Sequence, residues 1–384
     1  MLYNLIKFHL EDLLKMKKII LAALMVAMVC SSTFAAKKAK KAKSNIRIAM
    51  VTDSGDITDQ SFNQTTYQAC KDYADANGLD FQYYKPAGDS TADRVASIDA
   101  AYQDGYNVIV LPGFLFGEAI VKVAKDYDDA KFIGLDIGEG DLGGAAVPSN
   151  VFCAVYAEEI PGFFAGYAAV KEGYRHLGFL GGMAVPAVVR FGYGFVQGAN
   201  KAAEDLKIAD KVTVEYVYGG QFYGDQTITA TMDGWYKNRG VEVVFACGGG
   251  IWTSACEAAA KVGGKVIGVD TDQSALINNY GAGMCVTSAM KGLGATVEAV
   301  LNAIKENKWS DYAGKVSSLG LVSGTNLNVN FVGLPLDTWT MKNFSQNDYK
   351  KLVSDVYSKK VSISNAIDKD PAVSIKLNKY QNIK

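Results

Sequence analysis

Short runs of apolar residues recur along the chain from residue 46 onward, and helix-like segments separate most of them. The runs are rich in Val, Ile, Phe and Tyr and are mostly apolar on both faces, which is typical of parallel strands covered by helices. The first series of predicted strands reads IRIAMV, DFQYYK, NVIVLPG, KFIGLD and NVFCAVY. The second series reads HLGFLGG, VTVEYVY, VEVVFACGG, KVIGVD and MCVTSAM.

The alternation of strands and helices predicts an α/β protein with right-handed crossovers and doubly wound, mostly parallel sheets. Ten predicted strands are more than one such sheet comfortably holds. A chain of 384 residues is also long enough to bury two separate cores. We therefore expect two sheets in two lobes.

The expected boundaries follow from the places where the alternation breaks. Strand follows strand without a helix near residues 150–159, and the chain returns to the first lobe near residues 286–291. Residues after about 340 are polar and rich in Lys and Asn. The expected division is a first lobe of residues 46–152 and about 290–325, a second lobe of residues 153–289 and about 326–340, and a peripheral segment of residues 341–384.

The N-terminal segment has the pattern of a secretory signal. From Met16 it reads MKKIILAALMVAMVCSSTFA, with two lysines, an apolar run and then small residues. That apolar run is too short to cross a bilayer core of about 30 Å as a helix. We assign residues 1–35 to the signal, with Met16 as an alternative start, and residues 36–45 to a Lys-rich linker.

The signal predicts an exported protein whose N-terminus is processed in one of two ways. Cleavage after Ala35 would release a soluble, periplasmic protein. Attachment of lipid to Cys30 would instead anchor the chain to the cell membrane as a lipoprotein, although the preceding Val29 is bulkier than is usual at such a site.

Charge and composition exclude several function classes. The formal net charge is −1, so the basic surplus of a nucleic-acid-binding protein is missing. The sequence has only two histidines, His9 and His176, and contains no Cys-x-x-Cys. Zinc chemistry or a Ser-His-Asp triad would have to rest on one histidine of the exported protein. We expect no catalytic residues, no metal and no cofactor.

Polar and aromatic residues follow the predicted strands. Ligands of open α/β sheets bind beyond the carboxyl ends of the strands. Two lobes that present these edges to each other would form a cleft. The candidate ligand-binding residues are Asp53, Asp59, Phe62, Asn63, Phe114 and Asp136 in the first lobe, and Arg190, Phe222, Gly250, Trp252, Asp270 and Lys291 toward the second.

Several segments resemble the signature segments of the basic membrane protein family of bacterial receptors, with the purine nucleoside receptors as the nearest group. They read GDITDQSFNQ, GFLFGEA, EEIPGFFAGYAA, LGFLGGMAVPAVVRFGYGF and VIGVDTDQ, and the resemblance extends from about residue 46 to 337. It implies a type I periplasmic binding fold of two hinged lobes. The implied partners are a purine nucleoside and an ABC transporter permease in the membrane.

The resemblance also implies roles for individual residues. Phe62 occupies the position of a ring that stacks on the base, and Asp270 and Lys291 occupy positions that contact the ribose. The chain reads GGGIW where the family often has Gly-Gly-Thr-Gly, which brings Trp252 next to the cleft. The segment GGQFYGDQ offers Phe222 as the second stacking ring.

The residues themselves leave alternatives open. Phe62 is either a core residue or a platform for a ligand. Asp270 and Asp272 are an acid–base pair, helix caps, or acceptors of ribose hydroxyls, and we favour ribose binding by Asp270 and a structural role for Asp272. Arg190 and Lys291 are either solvated or directed into the cleft.

The predicted function is an exported receptor that captures purine nucleosides by hinge closure. One alternative is a receptor of the same fold for a simple sugar or another small polar solute. A nucleoside hydrolase would need a cluster of metal-binding aspartates, of which VTDSGDITD is a loose imitation. A DNA-binding regulator of the same fold is disfavoured, since no helix-turn-helix pattern precedes residue 46.

Overall fold

A computed structural model describes residues 45–53 and 55–384 of the chain. The predicted signal segment, its cleavage or lipidation site and most of the Lys-rich linker lie outside the described residues. The described chain contains two β-sheets with helices packed on their faces.

The first sheet has six parallel strands in the order β11-β5-β4-β3-β1-β2. Its central strands are buried and apolar apart from Lys131 at the start of β4, as expected for strands covered on both faces. The strands are β1 (Arg47–Val51), β2 (Asp80–Tyr84), β3 (Val108–Pro112), β4 (Lys131–Leu135), β5 (Val151–Tyr156) and β11 (Lys315–Leu319).

The second sheet has seven strands in the order β12-β10-β9-β8-β6-β7-β13. All its pairs are parallel except β10 with β12, which is antiparallel. The strands are β6 (His176–Gly181), β7 (Thr213–Tyr218), β8 (Val243–Cys247), β9 (Lys265–Asp270), β10 (Cys285–Lys291), β12 (Val332–Gly333) and β13 (Lys376–Lys379).

Ten α-helices of the described residues connect or flank these strands. Some of these helices have capping residues in their local sequence. At the start of α2, Ser90 and Asp93 form a capping box, which satisfies backbone N–H groups that have no partner in the helix. The helices are α1 (Phe62–Asn77), α2 (Thr91–Gln103), α3 (Gly117–Val123), α4 (Glu159–Glu172), α5 (Pro186–Asp205), α6 (Gln226–Gly234), α7 (Trp252–Ala260), α8 (Ser274–Ile277), α9 (Leu293–Lys305) and α10 (Gln346–Tyr357).

The sequence pattern located all ten strands from β1 to β10, and the predicted fold class is confirmed. The expected change of lobe at residue 152 is too early, because β5 pairs in the first sheet as far as Tyr156. The chain recrosses after β10, since α9 packs against α1 of the first lobe. The other lobe boundaries stay a prediction.

The segment after residue 340 is more integrated than its polar composition indicated. Helix α10 buries Tyr349 and Val353 against the core of the second lobe. Strand β13 then joins the second sheet beside β7. None of the helices in residues 45–53 and 55–384 combines the length and the apolar composition that a membrane span requires.

Candidate ligand-binding site

A cavity of about 810 Å³ lies between the carboxyl edges of the two sheets. Loops of both lobes line it, as the topology of two facing α/β sheets predicts. Eleven of the twelve candidate residues from the sequence lie on its wall: Asp53, Asp59, Phe62, Asn63, Phe114, Asp136, Arg190, Phe222, Gly250, Asp270 and Lys291. Their roles in binding stay predictions.

Trp252 is the exception, because it does not line the cavity. It is the first residue of α7, and its ring is buried and packs edge-on against Tyr280. Its indole Nε1 donates a hydrogen bond of 3.5 Å to the backbone oxygen of Asp59 in the first lobe. Trp252 therefore contacts the opposite lobe beside the cavity.

Asp59 organises the loop that enters α1. Its carboxylate accepts hydrogen bonds from the backbone N–H groups of Ser61, Asn63 and Gln64 at 2.9, 2.9 and 3.0 Å. These donors lie at the start of a helix, where they have no backbone partners. Burial nevertheless raises the pKa of Asp59. The carboxylate acts on the site mainly by fixing this loop.

Asn63 and Asp53 form a polar corner of the cavity. The Nδ2 of Asn63 donates to Asp53 Oδ1 at 2.9 Å and to Asp59 at 3.2 Å. Its Oδ1 is buried and has no hydrogen-bond partner in the protein. Burial raises the pKa of Asp53 to about 6, although Gly55 and Asn63 donate hydrogen bonds to it. Near neutral pH this corner offers both acceptors and a carboxyl that can be protonated.

Phe62 lies between the cavity and the core of the first lobe. Its half-buried ring lines the cavity on one side and packs against the core cluster on the other. The ammonium of Lys291 lies 4.8 Å from the ring centre. Part of the ring is therefore available to a flat ligand, and Lys291 adds a cation–π contact.

Phe222 rests on backbone that only glycine can provide. A Cβ at Gly182 would lie 2.5 Å from the ring, and one at Gly248 would lie 2.9 Å from it. Gly248 also has a φ of 137°, a conformation that side chains rarely adopt. The run of glycines from 248 to 250, which superficially resembles a phosphate-binding loop, thus seats an aromatic ring at the cavity.

Asp136 and Asp270 occupy equivalent positions in the two lobes. Asp136 directly follows β4 and Asp270 ends β9, and both have left-handed backbone with φ of 56° and 66°. Such strained backbone at the end of a strand is common at functional sites. Both carboxylates approach Lys291, and Asp136 makes a short ion pair with it. Burial raises the pKa of Asp270, which the positive charge of Lys291 opposes.

Asp270 also contacts the first lobe directly. Its Oδ2 accepts a hydrogen bond of 2.6 Å from the Oγ of Ser61. Nearby, the Nε2 of Gln273 donates to the backbone oxygen of Gln60 at 2.9 Å. Asp272 does not line the cavity; it accepts hydrogen bonds from Ser274 N and Thr338 Oγ1 and is a structural residue.

Lys291 is a buried cation among buried anions. Its Nζ lies 3.6 Å from Asp270 Oδ1 and 3.7 Å from Glu158 Oε1, in addition to its pair with Asp136. Burial lowers the pKa of Lys291, but the three carboxylates outweigh that effect and keep the pKa above its usual value. Lys291 is thus charged and directed to the cavity rather than solvated.

Glu158 is a functional candidate that the sequence analysis did not identify. It is completely buried behind the cavity wall, and its Oε2 accepts a hydrogen bond of 2.6 Å from Arg190 Nε. Burial raises its pKa to about 7, with a further contribution from Asp136, while Lys291 and Arg190 oppose the shift. The only sequence signal was a pair of glutamates just after an apolar strand.

Acidic side chains outnumber basic ones on the cavity wall. Its seven aspartates are Asp53, Asp56, Asp59, Asp89, Asp136, Asp141 and Asp270, and its three cations are Lys85, Arg190 and Lys291. An anionic ligand such as a nucleotide would be repelled by this surplus. In the described residues, no cluster of three or more His, Cys, Asp or Glu side chains has the arrangement of a metal site.

The chain belongs to the family of PnrA-like ABC transporter substrate-binding proteins, whose members match it over residues 46–368. The nucleoside-binding protein BmpA of an ABC transporter from Lactococcus lactis subsp. cremoris is 28% identical over 366 residues, which is 90% of this chain and 96% of that protein. Basic membrane protein B of Borreliella burgdorferi is 27% identical over 313 residues, which is 79% of this chain and 85% of that protein.

A solved structure supports the fold. The solute-binding protein of an ABC transporter system from Aeropyrum pernix K1 superimposes with a TM-score of 0.64 at 23% identity, over 83% of this chain and 87% of that one. The expected family and fold are thus confirmed. Substrate-binding proteins of this family are extracytoplasmic receptors rather than enzymes, so the chain is a solute receptor for an ABC transporter.

Proposed function

We propose that this member of the PnrA-like family captures a purine nucleoside outside the cytoplasm and delivers it to the permease of an ABC transporter. The base lies between the rings of Phe62 and Phe222, and the ribose hydroxyls bind Asp270 and Lys291. Closure of the two lobes over the ligand produces the form that the transporter recognises.

The observation that carries this proposal is the pairing of two aromatic rings with a buried Asp–Lys pair around one cavity. Stacking on an aromatic side chain is worth about 1–3 kcal/mol per base. A carboxylate accepts two neighbouring hydroxyls well, and a ribose supplies them. Two rings and several hydrogen bonds suffice for micromolar affinity, which corresponds to about −8 kcal/mol.

The charge of the cavity and one similar protein favour an uncharged nucleoside. The acidic surplus of the cavity disfavours a phosphorylated ligand. The relative from Lactococcus lactis is described as nucleoside-binding. The preference among purine bases would follow from hydrogen bonds at the corner formed by Asp53 and Asn63, two polar residues that line the cavity.

Titration calorimetry with guanosine, inosine, adenosine and ribose tests the proposal. We expect at least one purine nucleoside to bind with micromolar or tighter affinity and ribose to bind far more weakly. Tight binding of ribose without a response to nucleosides would instead identify a sugar receptor. Release of free base from a nucleoside by the purified protein would contradict a purely receptor role.

A further inference from the structure

The segment of residues 374–384, here called the strap, follows the edge of the second sheet toward the cavity. It begins after the residues that the family matches, which end at 368. Within the strap, β13 pairs in parallel with β7. Strand β7 leads directly into the loop of residues 219–225, here called the Phe222 loop.

Backbone hydrogen bonds continue the pairing beyond β13. Tyr380 N donates to Tyr216 O, and Ile383 N donates to Tyr218 O, each at 2.9 Å. Tyr380 and Ile383 also pack against the hydrophobic core on that face of the sheet. The strap is thus fixed to β7 up to the residue before the Phe222 loop begins.

Lys384 contacts the residues that precede and follow Phe222 in the loop. Its Nζ donates to Gln221 Oε1 at 3.1 Å and makes a short ion pair with Asp225. The Nε2 of Gln221 in turn donates to the backbone oxygen of Tyr223 at 2.9 Å. The ion pair with Lys384 helps to lower the pKa of Asp225 to about 2, so the carboxylate stays charged.

The backbone of the strap also packs against the start of the loop. A Cβ at Gly220 would lie 2.6 Å from the backbone oxygen of Lys384, and Gly220 has a φ of 84°. This close approach is possible because glycine has no side chain. The strap therefore meets the Phe222 loop through backbone, an ion pair and a hydrogen bond.

We propose that the strap is a positioning segment, which holds the Phe222 loop so that the ring of Phe222 faces the cavity. Lys384 acts on the ligand through Phe222 rather than by touching it. Mobile binding loops lose affinity because ordering them costs conformational entropy when the ligand binds. A loop that is already held by the strap avoids that cost.

Hydrogen exchange of the ligand-free protein tests this proposal without reference to any ligand. The variants are Lys384→Ala, which removes the side-chain contacts, and Ile383→Pro, which removes the backbone donor. The matched control is Lys376→Ala, an exposed residue of β13. We expect amides of residues 219–225 to exchange about two- to fivefold faster in both strap variants and at the native rate in the control. The melting temperature should stay unchanged in Lys384→Ala, whose side chain is exposed, and should fall in Ile383→Pro, which also loses apolar packing.

Calorimetry with guanosine tests whether the strap affects ligand binding through Phe222. This measurement rests on the proposed function. We expect Lys384→Ala to weaken binding about two- to fivefold in the native background. The same substitution should not weaken guanosine binding further in a Phe222→Ala background, because that background has no ring for the strap to position.

The outcomes separate the two proposals. Unchanged exchange of the Phe222 loop in both strap variants would overturn the positioning role. An effect of Lys384→Ala on affinity that persists in the Phe222→Ala background would also overturn it, since Lys384 would then act elsewhere. If the native protein binds none of the purine nucleosides, the proposed function fails, and the exchange measurement alone decides the role of the strap.

Discussion

Ser61 and Asp270 lie in different lobes, and the Oγ of Ser61 donates a hydrogen bond of 2.6 Å to the Oδ2 of Asp270. Ser61 directly precedes α1, and Asp270 is the last residue of β9. Both are buried. The carboxylate proposed to bind the ribose thus also links the two lobes, so the same residue connects ligand binding with lobe closure.

Ser61→Ala should favour the open form of the ligand-free protein. The substitution removes a hydrogen bond to a charged group, which is worth about 1.5–3 kcal/mol. We expect a larger radius of gyration in small-angle X-ray scattering and a weaker affinity for guanosine. Ser318→Ala, at an exposed position of β11, is the control. An unchanged radius and affinity would show that this bond does not contribute to closure.

Phe62→Leu separates stacking from simple burial of apolar area. Leucine keeps much of the apolar volume but has no ring, so the loss of affinity for guanosine reports stacking, at about 1–3 kcal/mol. Titration calorimetry measures it. Phe331→Leu is the matched control, because Phe331 is a half-buried ring that packs against the same core outside the cavity. Equal affinities of the Phe62 variant and the native protein would contradict the stacking role.

Lys291→Met should destabilise the protein even without ligand. The substitution leaves Asp136, Glu158 and Asp270 close together without their shared cation. Removal of one partner from a buried ion pair costs about 3–5 kcal/mol. Urea unfolding measures the loss. It should shrink as the pH falls and Glu158 and Asp270, whose pKa values are raised by burial, become protonated.

The control for Lys291 is Lys308→Met, which removes an exposed ion pair with Glu306. No measurable change in stability is expected there. If the Lys291 variant were as stable as the native protein, the picture of a charged cluster around Lys291 would be wrong.

Glu158→Gln should change how stability depends on pH. The pKa of Glu158 is raised from 4.5 to about 7 in the folded protein, chiefly by burial. Its contribution to stability is fully present below about pH 4.5 and is lost as the pH rises through about 7, because the unfolded chain releases the proton first. The native protein should therefore lose stability relative to the variant over this range.

Urea unfolding of both proteins between about pH 5 and pH 8 measures this difference. Comparison with the variant isolates Glu158 from Asp53, whose pKa is raised to about 6. Glu298→Gln, at an exposed position of α9, is the control. A stability difference between native and variant that is independent of pH would contradict the raised pKa of Glu158.

The sequence analysis located the strands that have a hydrophobic pattern of their own. Strands β1–β10 coincide with apolar runs, and their carboxyl ends carry the residues that line the cavity. Strand β13 was missed because Lys376–Lys379 reads KLNK, which has no hydrophobic pattern of its own. It is a strand because the edge of β7 offers it backbone partners.

Sequence alone therefore determined the α/β class, the family and most of the cavity wall, because alternating strands and helices force strand ends to one edge of each sheet. Only the tertiary structure decided which side chains meet across the lobes. In that structure Trp252 contacts Asp59 instead of lining the cavity, and Glu158 is buried next to Arg190 and Lys291. Lys384 contacts the Phe222 loop. These contacts join residues far apart in the chain, and their burial and charge depend on packing that no local pattern encodes.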